Sequence, residues 1–198
     1  MDENTELWRQ YYEKALNRNH NQRTEKAVTL NQSGVKVAID CGCGTGCDIT
    51  FLLQHGYRVH GFDINSDSVT ICRDRFMDNA GIEISQNTFE SFQYPQSGII
   101  LANSSLFFAN PSDIEGIWVN IESSLQVGGV FAGDFMGNND SWASGYRSPT
   151  SPLEISQIKA FLTDFELLEF DERNELGKTS LGKTKWWHTY SVLAVKRR

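Results

Sequence analysis

The chain has 198 residues, is 39% hydrophobic and carries a formal charge of −7, a size that suits one domain with a sizeable core. The acidic excess argues against a nucleic-acid or anionic-membrane surface, which would need clustered Lys and Arg. The start, Met1-Asp2-Glu3-Asn4-Thr5-Glu6, is polar and acidic, and no apolar run reaches membrane-spanning length, so a soluble cytosolic protein is expected.

Leu7, Trp8, Tyr11, Tyr12, Ala15 and Leu16 recur at helical spacing and predict an amphipathic helix. With a second helix around Thr24 to Leu30 it would form an N-terminal cap over about residues 1–32. The aromatic stripe suits a lid over a ligand as well as a face packed on the core. A first strand, Val37-Ala38-Ile39-Asp40, runs into Cys41-Gly42-Cys43-Gly44-Thr45-Gly46. A helix follows, stopping at Gly56, and then a second strand, Arg58 to Asp63. Ser66 is a candidate N-cap for a helix to about Asp78. A third strand begins at Ile82 and a fourth covers Ile99 to Ala102. Pro111-Ser112-Asp113 opens a helix to Leu125, ahead of a glycine pair and a fifth strand, Val130 to Phe135. Gly137 to Ser151 reads as a long loop, a length usually reserved for lids and binding loops. A helix from Leu153 to Leu162, a strand from Phe165 to Phe170, a polar turn through Gly177 and Gly182 and a last strand from Trp186 to Val195 close the chain. Strands alternating with helices imply a doubly wound, mostly parallel α/β sheet, with the closing hairpin adding one antiparallel member.

The strand ending in Asp40, with Gly42, Gly44 and Gly46 after it, predicts a loop whose backbone approaches a nucleotide-like ligand closely. Asp63, ending the next strand, stands where a carboxylate can accept from both ribose hydroxyls. Asp40 would repel a pyrophosphate, whereas S-adenosylmethionine (SAM) presents an ammonium and a sulfonium; the sign favours SAM over NAD. Cys41, Cys43, Cys47 and Cys72 match no paired zinc spacing and are expected as small packed thiols, with no metal.

Val37 to Arg75 resembles motif I and the following strand of the class I SAM-dependent methyltransferases, with Asp40, Gly42, Gly44, Gly46 and Asp63 on the matching positions. Leu125 to Phe131 and Trp186 to Val195 are similar to that family's fifth and last strands, and the whole pattern is similar to its small-molecule and tellurite-resistance members. The resemblance implies a Rossmann-like seven-stranded sheet of order 3-2-1-4-5-7-6 with strand 7 antiparallel, SAM as cofactor and a small-molecule acceptor. It also implies that Asn87, Thr88 and Phe89 hold the adenine, Asn87 standing where an acid is usual, and that Ile64 covers the other adenine face. Arg23 would meet the methionine carboxylate, and Asn103, Tyr11 and Tyr12 would complete the cofactor site. The chain lacks the Asn/Asp-Pro-Pro-aromatic run and the Pro-Cys pair of nucleic-acid methylating enzymes.

Phe107, Phe108, Trp142, Tyr146 and Trp186 are expected to wall the acceptor pocket, since the loops and the closing hairpin that carry them gather at the strands' carboxyl edge. Aromatic walls suit a flat organic acceptor or a cation. His188 is the candidate general base, with Asp134 and Asp140 behind it. A nucleotide-dependent oxidoreductase and a SAM-binding protein without catalysis remain alternatives.

Overall fold

The computed structural model describes residues 3–198, with side chains from Glu6 onward. In chain order the elements are α1 (Glu3–Ala15), α2 (Gln22–Leu30), β1 (Val37–Cys41), α3 (Cys47–Gln54), β2 (Arg58–Asp63), α4 (Ser66–Arg75), β3 (Ile82–Gln86) and β4 (Ser97–Ala102). They continue with a 3-10 turn (Leu106–Phe108), α5 (Ile114–Ser124), β5 (Leu125–Gly137), α6 (Trp142–Gly145), β6 (Pro152–Leu153), α7 (Ile155–Phe161), β7 (Phe165–Lys178) and β8 (Thr184–Lys196). The sheet order is β3-β2-β1-β4-β5-β8-β7, the expected arrangement. β8 runs antiparallel to both β5 and β7, and the other pairings are parallel.

β1 and β4 form the middle of the sheet and are buried along almost their whole length, as continuous apolar runs are when helices cover both faces. On one face, Ala27 of α2, Ile49 and Leu52 of α3 and Cys72 of α4 pack on Ala38, Ile99 and Leu101. On the other, Ile117, Trp118 and Ile121 of α5 and Ile158 of α7 pack on Ile39, Ile100 and Phe131. The edge strand β7 is mostly exposed and rich in Glu and Asp, which protects an open edge against pairing with another chain. Among the described residues no helix is long and apolar enough to cross a membrane.

Three boundaries differ from expectation. Asn65, not Ser66, caps α4, its side chain accepting from the Asp67 N–H at 2.9 Å. Pro152 and Leu153 form an eighth, two-residue strand on Met136 and Gly137. β5 outruns β4, which pairs with it only to Gly133, so a free stretch of backbone is left to bond, and α7 starts at Ile155 behind a Glu154–Gln157 capping box. β7 and β8 pair through Lys178 and Thr184, so Gly177 lies in a strand. This ribbon carries the turn at Gly182 outward, over the carboxyl edge.

Candidate functional site

The loop from β1 to α3 turns on three glycines in the left-handed region, with φ of 70°, 54° and 77° at Gly42, Gly44 and Gly46. Glycine enters that region without steric cost. A Cβ on Gly42 would lie 2.5 Å from Ser105 Cβ, and one on Gly46 would lie 2.7 Å from the Phe76 ring, so these two serve packing. A Cβ on Gly44 would meet nothing within 4 Å. The Gly44 carbonyl accepts from Ser68 Oγ at 2.6 Å, and its N–H donates to Asp63 Oδ2 at 3.0 Å. Gly44 is thus held from behind, and the side a side chain would occupy is open.

That opening belongs to a cavity of about 660 Å³ lined by Gly42, Gly44, Asp63, Ile64, Asn87 and Asn103, among others. Ile64 is 66% exposed, an apolar side chain at the rim and available to cover a flat group. Thr88 and Phe89 also line it; Phe89 is mostly buried and meets Phe62 edge-on at 5.4 Å. Trp8, Tyr11 and Tyr12 of α1 form one wall, with Trp8 stacked on Tyr12 at 5.8 Å.

Asp63 Oδ1 accepts from the Asn65 N–H at 2.9 Å, besides the Gly44 bond to Oδ2. Burial pushes its pKa up, against the pull of these N–H groups. Each oxygen keeps a second lone pair for a ligand hydroxyl. Asp63→Ala is expected to weaken SAM binding by about 1.5–3 kcal/mol, the size of hydrogen bonds to a charged group; unchanged affinity in a calorimetric titration would remove the ribose role.

Behind this floor lie groups short of partners. Asn103 Nδ2 donates to Asp48 Oδ2 at 3.2 Å, while its Oδ1 is buried with no donor among the described residues. Asp40 is 4% exposed and does not line the cavity. Burial, followed by the nearby charges of Asp48, Cys72 and Asp63, pushes its carboxyl well above the usual range. The acid at the cavity wall is therefore Asp63, joined by Glu90, against a single cation, Arg147. An ammonium would satisfy the waiting Asn103 oxygen. The folded state holds the Asp40 proton to higher pH than the unfolded chain does, so its contribution to stability is full below the ordinary value of about 4 and is lost as pH rises through the raised one. Asp40→Asn should therefore out-melt the wild type at pH 8 by about 2–4 °C, the equivalent of roughly 1 kcal/mol at this size. The gap should close toward pH 5. Identical melting curves at pH 8 would show that the carboxylate carries no such strain.

Arg23 is placed otherwise than expected. Its Nη1 donates to the Gly133 carbonyl at 3.1 Å and lies 2.6 Å from Asp134 Oδ1, and its Nη2 donates to Asp134 Oδ2 at 2.8 Å. It does not line the cavity. Asp134 lies buried on β5, and a buried charge takes the nearest partner.

A second cavity of about 580 Å³ adjoins the first, sharing Trp8, Tyr11, Ser104, Phe108, Tyr146 and Arg147 with it. Phe107, Phe108, Trp142 and Tyr146 line it as expected. Trp186 does not: it is 43% exposed and donates from Nε1 to Asn174 on the outer face of the ribbon. Strand alternation instead aims Lys185 and Trp187 inward. His188 lines neither cavity. Its Nδ1 accepts from the Asn139 N–H at 3.0 Å, and its Nε2 lies 3.0 Å from both Glu172 and Tyr190 Oη. Both nitrogens are engaged in fastening the loop to the hairpin. Asp140 is likewise occupied, accepting from the N–H groups of Trp142 and His188, and Asp134 accepts from Ser104 and Ser191 besides Arg23.

Ser104 stands between the cavities at φ 53°, in a region that few residues other than glycine adopt. Sequence reasoning missed it, along with Glu90 and Trp8. Only Trp8 gave a signal, one turn before Tyr11 and Tyr12 in the same stripe.

Residues 38–129, from β1 into the start of β5, match the family model described as a methyltransferase domain. Over those residues, just under half of its length, the chain is similar to that family. The fold around them is that of the class I enzymes. TehB from Haemophilus influenzae is 22% identical with a TM-score of 0.71 over 90% of this chain; the chain spans 62% of TehB's length. The 1,6-didemethyltoxoflavin-N1-methyltransferase of Burkholderia thailandensis is 14% identical (TM-score 0.61, 89% of this chain and 79% of that one). The N-methyltransferase NodS of Bradyrhizobium japonicum is 13% identical (TM-score 0.66, 89% and 96%). No curated protein sequence matches the chain. The Burkholderia enzyme was solved with S-adenosylhomocysteine, and a magnesium protoporphyrin IX methyltransferase from Synechocystis with bound SAM. The open side of Gly44 and the unpartnered Asn103 oxygen fit SAM.

Proposed function

We propose that the protein is a methyltransferase that moves the methyl group of SAM to a small-molecule acceptor seated in the second cavity. The observation that carries this is the shared wall: two cavities of about 660 and 580 Å³ meet at Ser104, Phe108 and Tyr146. Each is of the size that takes one small ligand. In this reading Asp63 takes the ribose, Asn87 or Glu90 the adenine amine, Ile64 and Phe89 the base, and Asn103 the ammonium of the cofactor.

SAM supplies a methyl carbon already activated by its sulfonium. What the chain adds is placement: Phe108 and Tyr146 hold a flat acceptor toward the junction, and α1 excludes water with Trp8 and Tyr11. The three acids and bases expected from the sequence are tied into the fold, so the acceptor would arrive as a nucleophile that needs little proton removal. The Burkholderia neighbour, crystallised with its small acceptor and S-adenosylhomocysteine, supports an acceptor of this size. The net negative charge speaks against nucleic acid, and four free cysteines support work in the reducing cytosol. Incubating the enzyme and SAM with a panel of flat aromatic acceptors should release S-adenosylhomocysteine. Turnover only with nucleic acid or protein would overturn the small-molecule reading.

A further inference from the structure

The second cavity has a charge unlike that of the rest of the molecule. Its lining includes Arg18, Arg147, Lys183 and Lys185 and, among the described residues, no carboxylate, in a chain of net charge −7. Elsewhere cations such as Arg9, Arg23, Lys26, Arg58, Arg173 and Arg197 each lie against an acid. Among the described residues, Arg18, Arg147 and Lys183 have no such partner; Lys14, Lys36, Arg73, Arg75, Lys159 and Lys196 have none either, but they do not line this cavity. Arg18 lies over the Tyr11 ring at 5.2 Å and Arg147 over the Tyr146 ring at 4.9 Å, so aromatic walls hold both guanidinium groups beside the cavity.

Lys185 decides the sign of the ligand. Its ammonium lies between Trp142 and Trp187, 3.6 and 3.9 Å from the ring centres. It is buried 2.5 Å from Asp140 Oδ1, without the angle of a hydrogen bond. An indole pair of this kind is what would receive a cationic acceptor, and here the chain's own lysine fills it. The cation half of the sequence expectation is thereby closed off. A field of uncompensated positive charge around flat apolar walls suits a flat anion.

Resting on the methyl-transfer reading, we propose that the acceptor is a planar aromatic anion, a ring against Phe108 and Tyr146 with its carboxylate or phosphate toward Arg147 and Lys183. The ring gives shape and the cations fix orientation, presenting the far edge of the ring to the junction at Ser104.

The test uses the full chain saturated with S-adenosylhomocysteine, its occupancy first measured by calorimetry. Failure at that step would sink the methyltransferase reading itself. Quenching of tryptophan fluorescence, to which Trp8, Trp142 and Trp187 at the cavity wall contribute, then reports binding of 2-naphthoate, 2-naphthamide, 2-naphthylmethylammonium and inorganic phosphate. With cofactor bound, 2-naphthoate is expected to bind about tenfold or more tighter than the neutral amide, as for a charge-assisted contact, and the ammonium should not bind. Arg147→Gln with Lys183→Gln, both exposed in the wild type, should abolish that preference without changing the affinity for 2-naphthamide or the melting temperature. Equal affinity for acid and amide, tighter binding of the ammonium, or no binding by any naphthyl probe overturns the proposal. Phosphate competing as well as 2-naphthoate overturns its aromatic half.

Discussion

Replacing Gly44 by valine is expected to abolish SAM binding while leaving the protein folded. The position combines a φ of 54° with open space where a side chain would project. The left-handed backbone costs a residue with a Cβ about 1–2 kcal/mol, which lowers the melting temperature without unfolding a domain of this size. The valine methyls then stand in the space beside Asp63 that the cofactor needs, and loss of at least ~100-fold in affinity follows from displacing the ligand from its closest backbone contact. The neighbouring glycines provide the contrast. Gly42→Val and Gly46→Val drive a Cβ into Ser105 and the Phe76 ring, so they should lose stability first. Should Gly44→Val bind SAM like the wild type, the cofactor lies elsewhere.

Asp134→Ala is expected to be the most damaging single change in the core of the sheet. The carboxylate takes Arg23, the Ser104 N–H at 2.8 Å and Ser191 Oγ at 2.6 Å. Its removal leaves the Arg23 guanidinium, which is largely buried, without an opposite charge. Orphaning one member of a buried pair costs roughly 3–5 kcal/mol. The loss also frees Ser104, whose backbone conformation forms the wall between the cavities, so binding should weaken along with stability. Ser191→Ala, which removes one neutral donor, should cost only about 1 kcal/mol. Urea unfolding of the pair decides this: comparable losses in both variants would show that the ion pair contributes little.

The glycine loop and the acid beside it were legible because backbone requirements are written in residue type. Three alternate glycines after a buried strand, and an acid ending the next strand, have few other uses, and all of them fall where the topology brings β1 and β2 together. That Gly42 and Gly46 serve packing was not legible, because it depends on Ser105 and Phe76, distant in sequence. Arg23 and His188 are placed otherwise than expected for a related reason. A charged or titratable side chain near a cleft in sequence is claimed by whichever buried partner is closest in space, here Asp134 for one and Asn139 and Glu172 for the other. The acceptor half depended on strand alternation at the start of β8. Pairing continued farther along the hairpin than the apolar pattern indicated, and the inward face proved to be that of Lys185 and Trp187. The four cations of the second cavity come from α1's end, the loop after α6 and the β7–β8 turn and strand, segments that only the folded chain brings together.

In the proposed function, cofactor and acceptor meet at the wall shared by the two cavities. A crystal structure of the complex with S-adenosylhomocysteine measures this directly. The adenosine is predicted beside Asp63, Ile64 and Asn87, the ammonium near Asn103, and the sulfur near Ser104, facing the cavity lined by Phe108 and Tyr146. Sulfur facing bulk solvent, or adenosine bound away from Gly44 and Asp63, would contradict it.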